Sequence, residues 1–477
     1  MSKILLDRSY RLGDNRRGSG IGVSFPRAGN MSQSGRLADL HLFGQLGIKL
    51  GSDFYESYLK DIAAARTGDE AAGLRLQYFE KVFESELVFG FKQRRAFEAE
   101  EKASLSPLGS RSIGAGNRIK VEEPEEYRTP YIRDLGRILH SDKICLLSGK
   151  TQVWPFPEYN PLVHNRLYHV LKVAQLGESI GRALGLNVDL IWAIGLAHDV
   201  GHTPFGHTGE AALNEISMRV LGKEFKHNRN GLRVMMELAK NGQGLNLTLE
   251  VLDGILHHWG ESDEYQLKPR QDERYDRYLR ALRSNGATAS LSAEEIIGLL
   301  DPSIDMEQPL TYEGCVVRLV DKIAYAPDDL RDAEKTGLFT ESGLSEAEKN
   351  TLKNIKAVLG ETKGDMFETM LKDVIRTSHE RGDVIAMSDE VGRAMIELKR
   401  FIYRNICKSD PRAEADRRIP LIFQIVYDHL NQEAKLGPQE AIDKIAAMTD
   451  SEVENYFKDI TSVRRAMQKG FSSFFVR

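Results

Sequence analysis

Apolar residues along most of this chain recur three and four positions apart, the spacing that gathers them on one face of an α-helix. The pattern is already helical within residues 38–103, in DFYESYLKDIAAA and LRLQYFEKVFESELVFGF. It returns after residue 126 as a succession of helices separated by short Gly, Asn or Pro breaks. Few stretches alternate as strands do, so the expected class is all-α. Between the two blocks SLSPLGSRSIGAGNRIKVEEPEE breaks the period and is the expected boundary. The organisation read from this is an N-terminal arm and helical extension over 1–120, a main helical bundle over 121–340, and a C-terminal helical region over 341–477. A charged stretch from Gly260 to Ser290 reads as an insertion in the main bundle. The arm from Asp14 to Arg36 contains GSGIG, but it lacks the Lys and the Ser or Thr that a phosphate-cradling P-loop requires.

Chemistry is densest in NRLYHVLKVAQLGESIGRALGLNVDLIWAIGLAHDVGHTPFGHTGE, from Asn165 to Glu210. Leu167, Val170, Leu171, Ala174, Ile180 and Ala183 mark the apolar face of a first helix that stops near Gly185. Asn187 can cap a second, VDLIWAIGLAHDV, whose nearly continuous apolar character predicts burial; Gly201 and Pro204 close it. His198 and Asp199 therefore fall on the last turn of a buried helix, where free carbonyls and the negative end of the dipole favour a cation. A buried carboxylate needs a partner or takes up a proton. Backbone groups or an Arg would serve, as they often do for a single His-Asp pair. The company points elsewhere: His169 lies on the preceding helix, and His202 and His207 follow, so four of the chain's 12 histidines fall within 169–207. Farther on, TYEGCVVRLVDKIAYAPDDLRDA sets Asp321 in another strongly apolar helix, where a salt bridge to Lys322 or an Arg is the plainer alternative. Imidazoles with two carboxylates form a mixed N/O donor set suited to Mn, Fe, Co, Ni or Zn and less specifically to Mg.

Charge and cysteine content narrow the partners. With 65 basic and 70 acidic residues the net charge is −5, so no global basic field points to nucleic acid or anionic membrane. Cys145, Cys315 and Cys407 are far apart and odd in number, which fits a reducing compartment. MSKILLDRSYRLGDNRRG has no signal-type apolar run, and no stretch of about 18 apolar residues follows. The expectation is a cytoplasmic protein without membrane contact.

His169, the His198-Asp199 pair and Asp321 reproduce the H…HD…D order of the HD phosphohydrolases. The chain further resembles the deoxyguanosine triphosphate triphosphohydrolases and their dNTP-hydrolysing relatives. The resemblance rests on RILHS (from Arg137), GKTQV (from Gly149), NRLYH (from Asn165), AHDVGHTPFGHTGE (from Ala197), GLNLTLEVLDGILHH (from Gly244) and VDKIAYAPDDLRDA (from Val320). It implies an HD domain over 121–340 and hydrolysis of dGTP or several dNTPs to deoxynucleoside and tripolyphosphate. It makes His169, His198, Asp199 and Asp321 ligands of a divalent metal, of which Mn, Mg, Co, Fe and Ni are the candidates. His207 and Glu210 match the acid-base pair, consistent with a His of near-neutral pKa oriented by a carboxylate three residues on. Arg166, on the face of His169, looks like a phosphate ligand, with Arg137 and Lys322 as added positive charge and His202 and His227 as further phosphate-side contacts. Gln152 matches a residue bonding the sugar 3′-hydroxyl, and Tyr325 and Asp329 match positions that pack on and bond the deoxyribose.

Two departures stand out. Ile144, Cys145 and Leu146 replace an aromatic and two arginines common in relatives, and Asp328, beside Pro327, replaces a familiar His. The resemblance further implies a homo-oligomer, tetrameric or hexameric, and leaves open a dNTP allosteric effector and single-stranded DNA as partners. Two other functions stay open. One is an HD-type nucleotidase or phosphodiesterase. The other is a non-catalytic nucleotide- or single-strand-binding regulator, for which the basic C-terminal run SVRRAMQKGFSSFFVR, with Phe471, Phe474 and Phe475, is the best feature. A packed tail with solvated charges accounts for that run as well.

Overall fold

The computed structural model describes residues 60, 64, 68–69, 92–113, 116–120, 122–152, 165–258, 262–271, 308–335, 339–407 and 410–474. The chain forms two compact units, Met1–Gln93 and Arg94–Arg477. Most of the helical pattern read within 38–103, the arm from Asp14 to Arg36 and most of the Gly260–Ser290 insertion lie outside the described residues.

The second unit is helical, as the periodicity predicts. Its principal helices are α1 (Arg94–Ser104), α2 (Pro130–Leu139), α3 (Arg166–Leu184), α4 (Val188–Ala197), α5 (Gly206–Leu221), α6 (His227–Arg233) and α7 (Leu249–Leu256). They are followed by α8 (Tyr312–Lys335), α9 (Glu346–Leu359), α10 (Lys363–Arg381), α11 (Asp389–Ile402), α12 (Asp410–Asp428), α13 (Pro438–Ala447) and α14 (Asp450–Phe474). Among the described residues the one sheet is a two-residue antiparallel pair, β1 (Gln266–Leu267) with β2 (Ile385–Ala386). No helix among them is long and apolar enough to cross a membrane.

The α3–α4 turn forms where its residue types predict. Asn165 accepts from the Tyr168 N–H at the start of α3, and Gly185 ends that helix at φ +67°, a left-handed conformation that glycine adopts without penalty. Asn187 then caps α4 by accepting from the N–H groups of Asp189 and Leu190. The same region is tied to α8 and to the segment before α2. The buried Glu313 carboxylate accepts from Ser110 N–H and Oγ–H and from Asn187 N–H, at 2.8, 2.7 and 2.9 Å. Arg118, also buried, pairs with Asp134 of α2.

Two apolar cores result. In the larger, Val170, Val173 and Ala174 of α3 and Ile191 and Ile194 of α4 pack with Val316, Val320 and Ile323 of α8. In the smaller, Leu213 and Ile216 of α5 meet Ile419, Phe423, Ile442 and Val453 of α12, α13 and α14. Within the larger, α3 and α4 approach without an intervening side chain, since a Cβ on Gly195 would stand 3.0 Å from Ala174 Cα and 3.2 Å from its Cβ. That contact fixes the spacing of His169 and His198. Replacing Gly195→Val is expected to destabilise the protein by about 1–3 kcal/mol through overpacking. Urea unfolding checks this, and an unchanged midpoint would contradict the close approach.

Candidate metal and phosphohydrolase site

Three helices deliver the central cluster: His169 from the first turn of α3, His198 and Asp199 from the C-terminal end of α4, and Asp321 from the middle of α8. His169 Nε2 lies 2.9 Å from Asp321 Oδ1 and 3.8 Å from Asp199 Oδ2. The His198 Nδ1–H donates to the Gly195 carbonyl at 2.8 Å, which leaves Nε2 as a bare lone pair. That Nε2 is buried with no hydrogen-bond partner among the described residues, 3.6 Å from Asp199 Oδ1 and 3.8 Å from Asp321 Oδ1. Donor atoms of His169, His198 and Asp199 all fall within 4.8 Å of one another.

Electrostatics keep these groups in ligand form. Burial opposes ionisation of Asp199, but His202, His198 and Arg166 overcome it and hold the carboxyl well below its usual value. Asp321 is likewise lowered, burial being outweighed by the His169 hydrogen bond and by charge from His169 and His198. Burial lowers His198, favouring the neutral imidazole. Two carboxylates held below their usual pKa and two imidazoles brought together form an N/O set that suits a divalent cation. The orphaned His198 nitrogen, which a structural role would have left paired, fits the same ion.

A second layer surrounds the first. Arg166 Nη1 donates to Asp199 Oδ2 at 2.7 Å, and Nη2 to the Gln152 carbonyl at 3.3 Å. His202 Nε2 lies 3.2 Å from Asp199 Oδ1, and its ring stacks on His227 with centroids 3.9 Å apart. His227 offers both ring nitrogens as donors, Nδ1 to Glu210 Oε1 at 2.9 Å and Nε2 to His258 Nε2 at 3.1 Å. The direction of the last bond follows from His258, whose Nδ1–H donates to the Ile255 carbonyl at 2.6 Å, leaving Nε2 to accept. That bonding pattern favours the protonated ring of His227. Burial opposes that charge, but Glu210 overcomes it and raises the His227 pKa, while burial drives His258 down to about 3. The other Glu210 oxygen stands 3.4 Å from Nδ1 of His207, whose side chain is 55% exposed and accessible to a substrate.

The turn that presents His207 and Glu210 is backbone-controlled. Phe205 and Gly206 both have positive φ, +61° and +57°, the former unusual for an aromatic residue. A side chain on Gly209 would meet the Pro204 carbonyl at 1.9 Å, and one on Gly201 the His227 carbonyl at 2.0 Å.

Of the residues singled out from sequence, His169, His198, Asp199, Asp321, Arg166, His202, His207, Glu210 and His227 come together. Gln152 adjoins through its carbonyl, and its buried amide oxygen accepts no hydrogen bond among the described residues. Tyr325 and Asp329 follow Asp321 along α8, half-buried and buried. Arg137 and Lys322 are bonded to other protein groups, while Lys322 still feels the Asp321 charge. Arg137 donates to the Leu245 and Asn246 carbonyls and to Glu122, and Lys322 Nζ to Ser262 Oγ and the Glu264 carbonyl at 3.0 and 2.6 Å. The Asp328 departure also finds its partners, ion pairs with Lys172 of α3 and Lys363 of α10. His258 and Lys150 were missed. Both stand in the quoted motifs, His258 at the end of the apolar helix α7 as His198 is at the end of α4, a parallel that signalled its burial.

The HD domain family matches residues 166–325 of the chain. A deoxyguanosinetriphosphate triphosphohydrolase-like protein of Clostridium tetani is 34% identical over 348 residues, 72% of this chain and 85% of that one. Proteins of the same description are 33% identical in Clostridium perfringens strain SM101, over 77% of this chain and 97% of that one, and 34% identical in Caldanaerobacter subterraneus, over 77% and 96%.

The charge on His227 has a measurable sign. A raised folded pKa contributes stability below the unfolded histidine value and loses it as pH rises through the folded value. In metal-free protein, NMR titration is expected to place His227 above an ordinary histidine, and Glu210→Gln to bring it down. A Glu210→Gln protein in which His227 titrates as in wild type would refute the pairing.

Proposed function

The chain belongs to the deoxyguanosinetriphosphate triphosphohydrolase-like family of HD-domain proteins, and from that membership we propose that it hydrolyses deoxynucleoside triphosphates to deoxynucleoside and tripolyphosphate. The observation that carries this reading is the buried, unpartnered Nε2 of His198 directed at two ionised carboxylates. The residues that would hold a divalent metal are His169, His198, Asp199 and Asp321, within the catalytic domain we assign to 121–340. When bound there, the ion supplies Lewis acidity and positive charge for a phosphate oxygen and for water.

The chain's own groups do the rest. Water adds to the α-phosphorus, the bond from that phosphorus to the 5′-oxygen breaks, and the leaving oxygen takes a proton. His207 is placed to deliver that proton, exposed to the substrate side and held by Glu210. Arg166 and the His227 imidazolium face the same region and neutralise charge that grows on the phosphates. The free amide oxygen of Gln152 is suited to accept from a sugar 3′-hydroxyl. Tyr325, one helical turn beyond Asp321, is suited to pack close to C2′, where a ribose hydroxyl would be crowded, and Asp329 to bond the sugar.

Chromatography of digests of the four dNTPs and four NTPs, with Mg, Mn or Co, is expected to yield deoxynucleoside and tripolyphosphate from one or more dNTPs. Diphosphate or monophosphate products would overturn the proposal. Loss of partners outside the ligand set commonly costs about 10–100-fold, so His198→Ala and Asp321→Ala are expected to lower turnover by more than about a hundredfold. Wild-type turnover in either would remove the site.

A further inference from the structure

The C-terminal helices do more than cover the bundle. The carboxylate of Asp450, at the start of α14, accepts from the Phe205 N–H at 2.9 Å through Oδ1 and from the Thr151 N–H at 3.0 Å through Oδ2. These two N–H groups belong to the segments nearest the chemistry. Phe205 is the left-handed residue whose turn aims His207 and Glu210, and Thr151 immediately precedes Gln152. Three neighbouring contacts fix the same layer. Lys150 Nζ donates to both the His202 and Ala446 carbonyls, at 2.5 and 2.7 Å. Gly149 abuts Thr449 so closely that a Cβ there would stand 2.5 Å from Thr449 Cγ2, and Thr208 Oγ1 donates to Asp416 at 2.6 Å. Burial raises the Asp450 carboxyl, which lies within protein rather than in water.

We infer that Asp450 is a positioning residue for the proposed reaction: by holding the Phe205 and Thr151 backbones together, it sets His207 against the leaving group and couples the C-terminal helices to turnover. The physical reason is the backbone at Phe205. An aromatic residue at positive φ relaxes unless its surroundings over-determine it, and the two N–H bonds to one carboxylate do so. Relaxation there would swing His207 while leaving His169, His198, Asp199 and Asp321, on other elements, in place. The inference rests on the triphosphohydrolase reading for its kinetic part only.

Three variants of the full chain test it, read by amide hydrogen exchange across 203–208, by bound metal, and by kcat and KM for the dNTP that wild type uses best. Asp450→Asn keeps one acceptor oxygen and loses the other. A hydrogen bond to a charged group is commonly lost at a cost equal to about a tenfold change, so Asn is expected to speed exchange and lower kcat by about tenfold, and Asp450→Ala by about a hundredfold. KM is expected to stay within about twofold and metal content unchanged, because ground-state binding and the ligands are untouched. Asp443→Ala cuts a different tie between the same layers, the Arg233 ion pair at 2.9 Å, and is expected to leave exchange at 203–208 and kcat as in wild type. Wild-type exchange in both Asp450 variants would overturn the inference. So would faster exchange with unchanged kcat, or a loss in Asp443→Ala equal to that in Asp450→Ala, which would show general adhesion of the layer. If wild type hydrolyses no dNTP, the functional reading falls, and exchange across 203–208 alone decides the coupling.

Discussion

Two carboxylates, Asp199 and Asp321, ionised in the interior of a helical bundle are the constraint around which the second unit is organised. Buried anions are costly to keep, and a pair of them repels as well. The protein answers with imidazoles and one guanidinium at short range: His169 on Asp321, Arg166 and His202 on Asp199. What the side chains leave over, an electron pair on His198 and residual negative charge, is the signature of a place made for a cation. Outside that centre the polarity reverses: Glu210 raises the pKa of His227, and burial lowers that of His258. A centre that could hold a cation, bordered by positive groups, accords with the polyphosphate substrate we propose.

Much of this was legible in the chain because the relevant signals are local. The Gly185 stop, the Asn187 cap and the apolar run before His198 each depend on residues within one or two turns, and the helices begin and end where those signals lie. Asp321 could be assigned to a buried helix for the same reason. What could not be read was partnership across long separations. Arg137 and Lys322 carry the right charge, but charge type does not say which carbonyl or carboxylate will take it, and each is bonded to a distant loop. Asp328 looked like an unexplained departure until Lys172 and Lys363 came beside it from two other helices. His258 was visible as a motif residue, yet its part in holding His227 charged depends on a bond between residues 31 positions apart.

The layering of the two cores follows the chemistry. The larger core carries the proposed metal ligands on α3, α4 and α8, and its apolar packing sets their spacing. The smaller joins α5 to the C-terminal helices and so governs the turn bearing His207 and Glu210. The proposed metal ligands and the proposed proton donor are thus supported by separate bodies of packed side chains.

The close approach of Gly195 to Ala174 bears on how the two imidazoles are spaced. Side-chain rotamers ordinarily let a coordination sphere expand or contract to suit its occupant, but here the two imidazoles ride on helices already touching main chain to main chain. The gap between them cannot narrow, and widening it would mean parting a packed seam. The separation of the two imidazoles is therefore set by the helix pair itself, at a position with no polar atom in its side chain.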